Sequence, residues 1–182
     1  MNPTLPKSEN VSVRSISREV DLAWLAGILD GEGALSCVLK EHFENGLNYL
    51  DPKIRVYNTD IRMIQKVARI YSDLNVVFFY NLNKKRADHY KDQVGICVTS
   101  QGSCIKILDA VTQYLGNKQQ IAIAMRDVVA YVKGQPKVGN GTRNNYAGHV
   151  EFIELMRIFD AARTFHIDPS TSRRKAREVI SW

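Results

Sequence analysis

The sequence predicts an α+β fold: a four-stranded antiparallel sheet with helices on one face. Three patterns predict it. A helical run opens the chain, two hairpin patterns separated by a second helical run follow, and the remainder is helical around one loop rich in Gly, Asn and Pro. Strands that are apolar on one side only pair antiparallel and leave the helices to cover that side. With 182 residues, 45% of them apolar and 24% charged, the chain can build one core of ordinary size.

Residues 1–16 contain Pro3, Pro6 and Glu9 and no apolar stretch, and are expected to be a flexible N-terminal arm ahead of one domain over 17–165. Ser17 is the expected N-cap of the first helix. Val20, Leu22, Leu25 and Leu29 follow at helical spacing, and Gly31-Glu32-Gly33 ends the run. From Ala34 to Lys40, Leu35, Cys37 and Leu39 alternate with Ser36, Val38 and Lys40, which is a strand pattern. Glu44-Asn45-Gly46 turns the chain into a second strand, about Leu47 to Tyr57, where Ile54 and Val56 alternate with Lys53 and Arg55.

Thr59 or Asp60 can cap a second helix whose apolar face is Ile61, Ile64, Val67, Ala68 and Tyr71. Strands are expected over Val76 to Asn81 and Val94 to Thr99, joined by a basic connection from Asn83 to Lys91. Helices are expected over 102–115, 118–133 and 149–164, with a loop from Gly134 to Gly148. A basic C-terminal segment, 166–182, carries a short helix from Ser172 to Ile180.

The net charge of +6 points to an anionic partner, nucleic acid first. The three cysteines, Cys37, Cys97 and Cys104, have neither CxxC spacing nor an even count, so they suggest buried thiols and no disulfide or zinc framework. That usage implies an intracellular place: an organelle (chloroplast or mitochondrion) or a bacterial, archaeal or phage-host cytoplasm. No apolar run approaches the ~20 residues of a membrane span, so no membrane partner is expected.

The most informative stretch is Trp24-Leu-Ala-Gly-Ile-Leu-Asp-Gly-Glu-Gly33. Ala23, Gly27 and Gly31 stand four apart and form a ridge of small residues on one helix face, which lets a second helix approach closely. Interior glycines cost up to ~1 kcal/mol each, so the ridge needs a compensating contact. Asp30 and Glu32 place carboxylates at the negative end of the helix dipole, where a bound cation would offset them. Carboxylate and helix-end carbonyl oxygens are hard ligands suited to Mg²⁺.

This string resembles, at nearly every position, the signature of the LAGLIDADG homing endonucleases, and the resemblance covers about Leu22 to Trp182. It implies a mixed α/β fold with a saddle-shaped antiparallel sheet, α-ββ-α-ββ-α-α in order. One signature in a chain of this length implies a homodimer that meets through Ala23, Gly27 and Gly31. Tyr146-Ala-Gly-His-Val-Glu151 is the nearest echo of a second signature, and no Gly-acid-Gly follows it. The resemblance makes Glu32 a catalytic metal ligand, with the Gly31 carbonyl beside it, and Asp30 a structural residue. Asn58, at the end of Arg55-Val-Tyr-Asn58, falls where relatives carry a water-ordering amide, often the longer Gln. Arg62 supports the site one turn on. Lys118, in Tyr114-Leu-Gly-Asn-Lys-Gln-Gln120, matches a lysine that enters it. The implied activity is Mg²⁺-dependent hydrolysis of both strands of a long, (pseudo)palindromic DNA target, with 3′ overhangs and mobility of a host intron or intein. Mn²⁺ or Ca²⁺ can substitute in binding.

The polar sheet face, by itself readable as a solvated surface, becomes a candidate to read the major groove of double-stranded DNA. Alternation assigns to it Ser36, Val38, Lys40 and His42, then Tyr49, Asp51, Lys53 and Arg55, then Lys91, Gln93 and Thr99, with Asn81 and Asn83 from the third strand. Arg173, Arg174 and Lys175 in the tail would clamp phosphates, adding affinity more than specificity. The alternative is a binding protein on the same fold: an intron RNA maturase or a catalytically inactive DNA-binding regulator.

Overall fold

The computed structural model describes residues 8–41, 48–83, 92–136 and 146–165. His42, Lys91, Arg173, Arg174, Lys175 and the expected tail helix lie outside the described residues. In order, the elements are α1 (Ser8–Glu32), β1 (Gly33–Glu41), β2 (Asn48–Asn58), α2 (Ile61–Asp73), β3 (Phe79–Asn83), β4 (Gln93–Val98), α3 (Gln101–Val111), a 3₁₀ turn over Thr112–Tyr114, α4 (Gln119–Gly134) and α5 (Val150–Phe165). No helix among the described residues is long and apolar enough to cross a membrane.

The first helix starts at Ser8, not at Ser17, so residues expected in a flexible arm are helical. No Pro or Gly stands between Lys7 and Gly27 to stop the helix from propagating back. Its C-terminal end is sharp for a steric reason. A Cβ on Gly33 would lie 2.5 Å from the Leu29 carbonyl oxygen, so only glycine lets the chain reverse there into β1.

The sheet order is β1-β2-β4-β3, antiparallel throughout. Gly33 pairs with Val56, and Val56 with Ile96, so the end of α1, the end of β2 and the middle of β4 meet at one end of the sheet. Leu35, Ile54, Val56, Ile96 and Val98 are buried on the helix side. They pack in one cluster with Leu25 and Leu29 of α1, Ile64, Val67 and Tyr71 of α2, and Ile107, Leu108, Met125 and Val128 of α3 and α4. Each such side chain contributes about 1.5–3 kcal/mol by leaving water. Burial pushes the Cys37 and Cys104 thiols up to about 12, which makes them packing residues and poor nucleophiles.

Two local expectations change. Ile61, assigned to the apolar face of α2, is 46% exposed in the first helical turn. The third strand begins at Phe79, not at Val76. The amide of Val76 donates to the Tyr71 carbonyl and that of Val77 to the Ser103 hydroxyl, so neither is free for a sheet ladder. The apolar run from Val76 therefore closes the α2 end of the core before it becomes a strand. At the far end of the sheet, the Tyr146 hydroxyl accepts from the Leu50 amide at 2.5 Å, tying the entry to α5 onto β2.

Candidate active site and nucleic-acid interface

Helix α1 ends with carbonyls that have no amide within the helix to accept from. Lys118, at the entry to α4, fills that gap. Its Nζ donates to the carbonyls of Leu29 at 2.8 Å, Asp30 at 2.7 Å and Gly33 at 2.7 Å, using all three ammonium protons. Asp30 fixes the segment that delivers the lysine: its carboxylate accepts from the Gly116 amide at 2.7 Å and the Lys118 amide at 2.9 Å. Burial lowers the Lys118 pKa below the usual lysine range, and the charges of Asp30 and Glu32 counter it in part. The cation that the acidic helix end calls for is thus supplied in part by the chain itself, and two of the helix-end carbonyls, with that of Gly33 in β1, go to it.

Oxygens at this end that could hold a metal include the Glu32 carboxylate and the Gly31 carbonyl. Glu32 is exposed and makes no hydrogen bond or ion pair among the described residues. Among those residues no group of three or more His, Cys, Asp or Glu converges on a metal position. One carboxylate and one carbonyl fit Mg²⁺, which binds through one or two carboxylates and keeps its other positions for water and phosphate oxygens.

Asn58 and Arg62 form a second cluster at the start of α2. Asn58 Oδ1 accepts from the Asp60 amide at 2.8 Å. Asp60 in turn caps the helix, accepting from the Arg62 amide at 2.9 Å and from Arg62 Nε at 3.3 Å. Hydrogen bonds from Arg62 hold the Asp60 carboxyl below its usual range. By register Asn58 stands opposite Val94, on the helix side of the sheet and not on its polar face. The Arg62 side chain is 86% exposed. Both residues lie at the sheet end where α1 terminates, and among the described residues no hydrogen bond joins them to Lys118 or Glu32.

Ala23, Gly27 and Gly31 are exposed, with Val20 in line at 61%. A Cβ added at Gly27 or Gly31 would meet nothing within 4 Å. The small-residue ridge is therefore an open face of α1, while Leu25, Ala26 and Leu29 hold the opposite face in the core.

Register sorts the polar face into rows. Lys40 stands opposite Tyr49, Val38 opposite Asp51 and Ser36 opposite Lys53. Ala34, Arg55, Cys97 and Phe79 form the next row, then Tyr57, Gly95 and Asn81, then Gln93 and Asn83. Thr99 falls one residue past the end of β4. Asn81 donates to the Tyr57 hydroxyl at 3.0 Å, and Asn83 to Gln93 at 3.5 Å. Arg55 Nε is buried with no hydrogen-bond partner. A Cβ on Gly95 would lie 2.3 Å from the Tyr57 ring, so Tyr57 lies flat across β4 to reach Asn81. Sequence reasoning missed Tyr57; the glycine inside β4 is the signal that marks such a close approach. It also missed the pairing of Asp51 with Lys40 and Lys53.

No family model matches the sequence, and no curated protein does. Solved structures do match. The homing endonuclease I-CvuI in complex with its target superposes with a TM-score of 0.60 at 15% identity, over 84% of this chain and 85% of that one. The archaeal intron-encoded homing endonuclease I-Vdi141I, complexed with DNA, gives 0.56 at 13% identity, over 83% and 86%. The LAGLIDADG homing endonuclease I-GzeII gives 0.52 at 12% identity, covering 78% of this chain and 43% of its own longer one. A four-stranded antiparallel sheet backed by helices, with α1 ending at the sheet edge, is thus the class of fold. More particularly, it is the LAGLIDADG homing endonuclease fold.

Proposed function

We propose that the chain is a site-specific DNA endonuclease of the LAGLIDADG homing type, working as a homodimer with a divalent metal, Mg²⁺ in the first place. The observation that carries this reading is the end of α1. There Lys118 is locked onto the carbonyls of Leu29, Asp30 and Gly33, while Glu32 is exposed beside it and makes no hydrogen bond or ion pair among the described residues. A carboxylate at a dipole end that disfavours it is stabilised when a cation binds there. The open ridge of Ala23, Gly27 and Gly31 supports dimerisation, which would bring a second Glu32 alongside. The structural neighbours are homing endonucleases bound to DNA, in the presence of Ca or Mg in the two I-CvuI complexes.

Glu32 and the Gly31 carbonyl would hold Mg²⁺, which when bound supplies charge stabilisation at the attacking and leaving oxygens of a phosphodiester. The Lys118 ammonium fixes the geometry of the helix end and adds positive potential next to the scissile phosphate. Asn58 Oδ1 is spent on the turn, and its Nδ2, which makes no hydrogen bond among the described residues, would orient a water. Arg62, exposed and anchored by Asp60, can offset phosphate charge. Ser36, Lys40, Lys53, Arg55, Gln93, Asn81 and Asn83 would face the major groove. The two-fold symmetry of a homodimer calls for a pseudo-palindromic target. Mobility of a host intron or intein follows from the same reading.

The second reading, a DNA-binding regulator or intron RNA maturase, draws support from Asn58 and Arg62, both engaged with Asp60. Incubation with a plasmid library of candidate targets separates the two. The endonuclease reading expects Mg²⁺-dependent linear product, none with EDTA, and none with Glu32→Gln at undiminished binding. Tight binding without nicking by wild type would leave only the second reading.

A further inference from the structure

Asp51 is the one acidic residue on the polar face among the described strand residues, and its side chain is only 13% exposed. Lys40 Nζ lies 2.5 Å and Lys53 Nζ 2.9 Å from the same carboxylate oxygen, Oδ2. The three residues sit in successive rows, with Asp51 between the two lysines. Burial pushes the Asp51 carboxyl up, but the hydrogen bonds from Lys40 and Lys53 outweigh it and hold the group below its usual range. Arg55 continues the line one row on and has no ion pair with an acid among the described residues.

A carboxylate on a surface that meets phosphates repels the ligand, so its presence there implies a gain elsewhere. Free lysines are mobile point charges that track phosphates and carry no sequence information. A lysine held by one proton keeps two others for acceptors on a base edge. Guanine offers O6 and N7 to the major groove, the acceptors that lysine reads.

We propose that Asp51 is a specificity-determining positioning residue: it clamps Lys40 and Lys53 side by side so that they read guanine edges instead of neutralising phosphates. The proposal rests on the DNA-reading role given above. Its substrate class is duplex DNA with guanine at the base pairs under these two rows, and Asp51 acts through the lysines.

The test compares wild type, Asp51→Asn and the double variant Lys40→Gln/Lys53→Gln. Each is selected on a random duplex library with Ca²⁺ in place of Mg²⁺, and each is titrated with one random duplex at several salt concentrations. Circular dichroism melts report folding. Wild type should enrich guanine at the positions under the pair. Asp51→Asn should lose that enrichment at least tenfold and bind random duplex more tightly. Its log–log salt slope should steepen by about 1–2, because each freed lysine can neutralise one more phosphate. The double-lysine variant should lose the same positions with no steepening. A folded Asp51→Asn with the wild-type site and slope overturns the proposal. So does a double-lysine variant that selects the wild-type site, which decides the matter if Asp51→Asn does not fold. If wild type enriches no sequence at all, the DNA-reading role falls with it.

Discussion

At the scale of single residues, the chemistry turns on which polar atoms are already committed. Asp30 is committed to two backbone amides, and Asp30→Ala strands both. It should cost roughly 1–3 kcal/mol in urea unfolding and release Lys118, whereas Asp30→Asn keeps one acceptor and should cost less. Asp51 gives a pH signature. Its folded pKa is lowered, so its stabilisation is complete above the unfolded value near 3.8 and is lost as pH falls through the folded one. The melting-temperature difference between wild type and Asp51→Asn should therefore shrink below that pH; a widening gap would contradict the pairing. Glu32, Asp30 and Lys118 were legible in the sequence, because the signature string and the Tyr114 to Gln120 segment mark them. The place of Asp51 on the polar face was legible too, but its pairing with Lys40 and Lys53 and the contacts of Tyr57 were not. Their partners sit on other strands or across a glycine, and register is a tertiary property that alternation alone does not supply.

At the scale of elements, α1 and β4 make separable predictions. Gly27 has open space around it, so Gly27→Leu should leave the monomer at least as stable, glycine being a poor helix former by about 1 kcal/mol. If the ridge seats a second copy, the same change should dissociate the dimer in light scattering. Dimers that persist would move the interface off this face. Gly95→Ala drives a methyl into the Tyr57 ring and should destabilise by about 1–3 kcal/mol, with Tyr57→Ala in the same chain recovering part of the loss. Periodicity recovered every helix and strand among the described residues, most to within a residue or two. It failed where backbone donors found partners outside the pattern. Val76 and Val77 read as strand but donate to Tyr71 and Ser103, and Ser8 to Ile16 read as an arm but continue α1.

At the scale of the whole molecule, one chain presents an exposed carboxylate at the end of α1, an open small-residue ridge and a polar sheet on its unpacked side. On the proposed reading, these features would make one functional surface when two copies meet along α1. The fold is that of the LAGLIDADG homing endonucleases, at 12–15% identity to the solved structures it matches. On the same reading, the face residues would set the target. EDTA should abolish cutting while binding persists in Ca²⁺. The most direct measurement is strand-resolved cleavage by a purified mixed dimer in which one copy carries Glu32→Gln. With one Glu32 from each copy serving one active centre, the mixed dimer should lose double-strand cleavage and yield at most a nick in one strand. Cutting of both strands at the wild-type rate would contradict Glu32 as the metal-holding residue of a paired site.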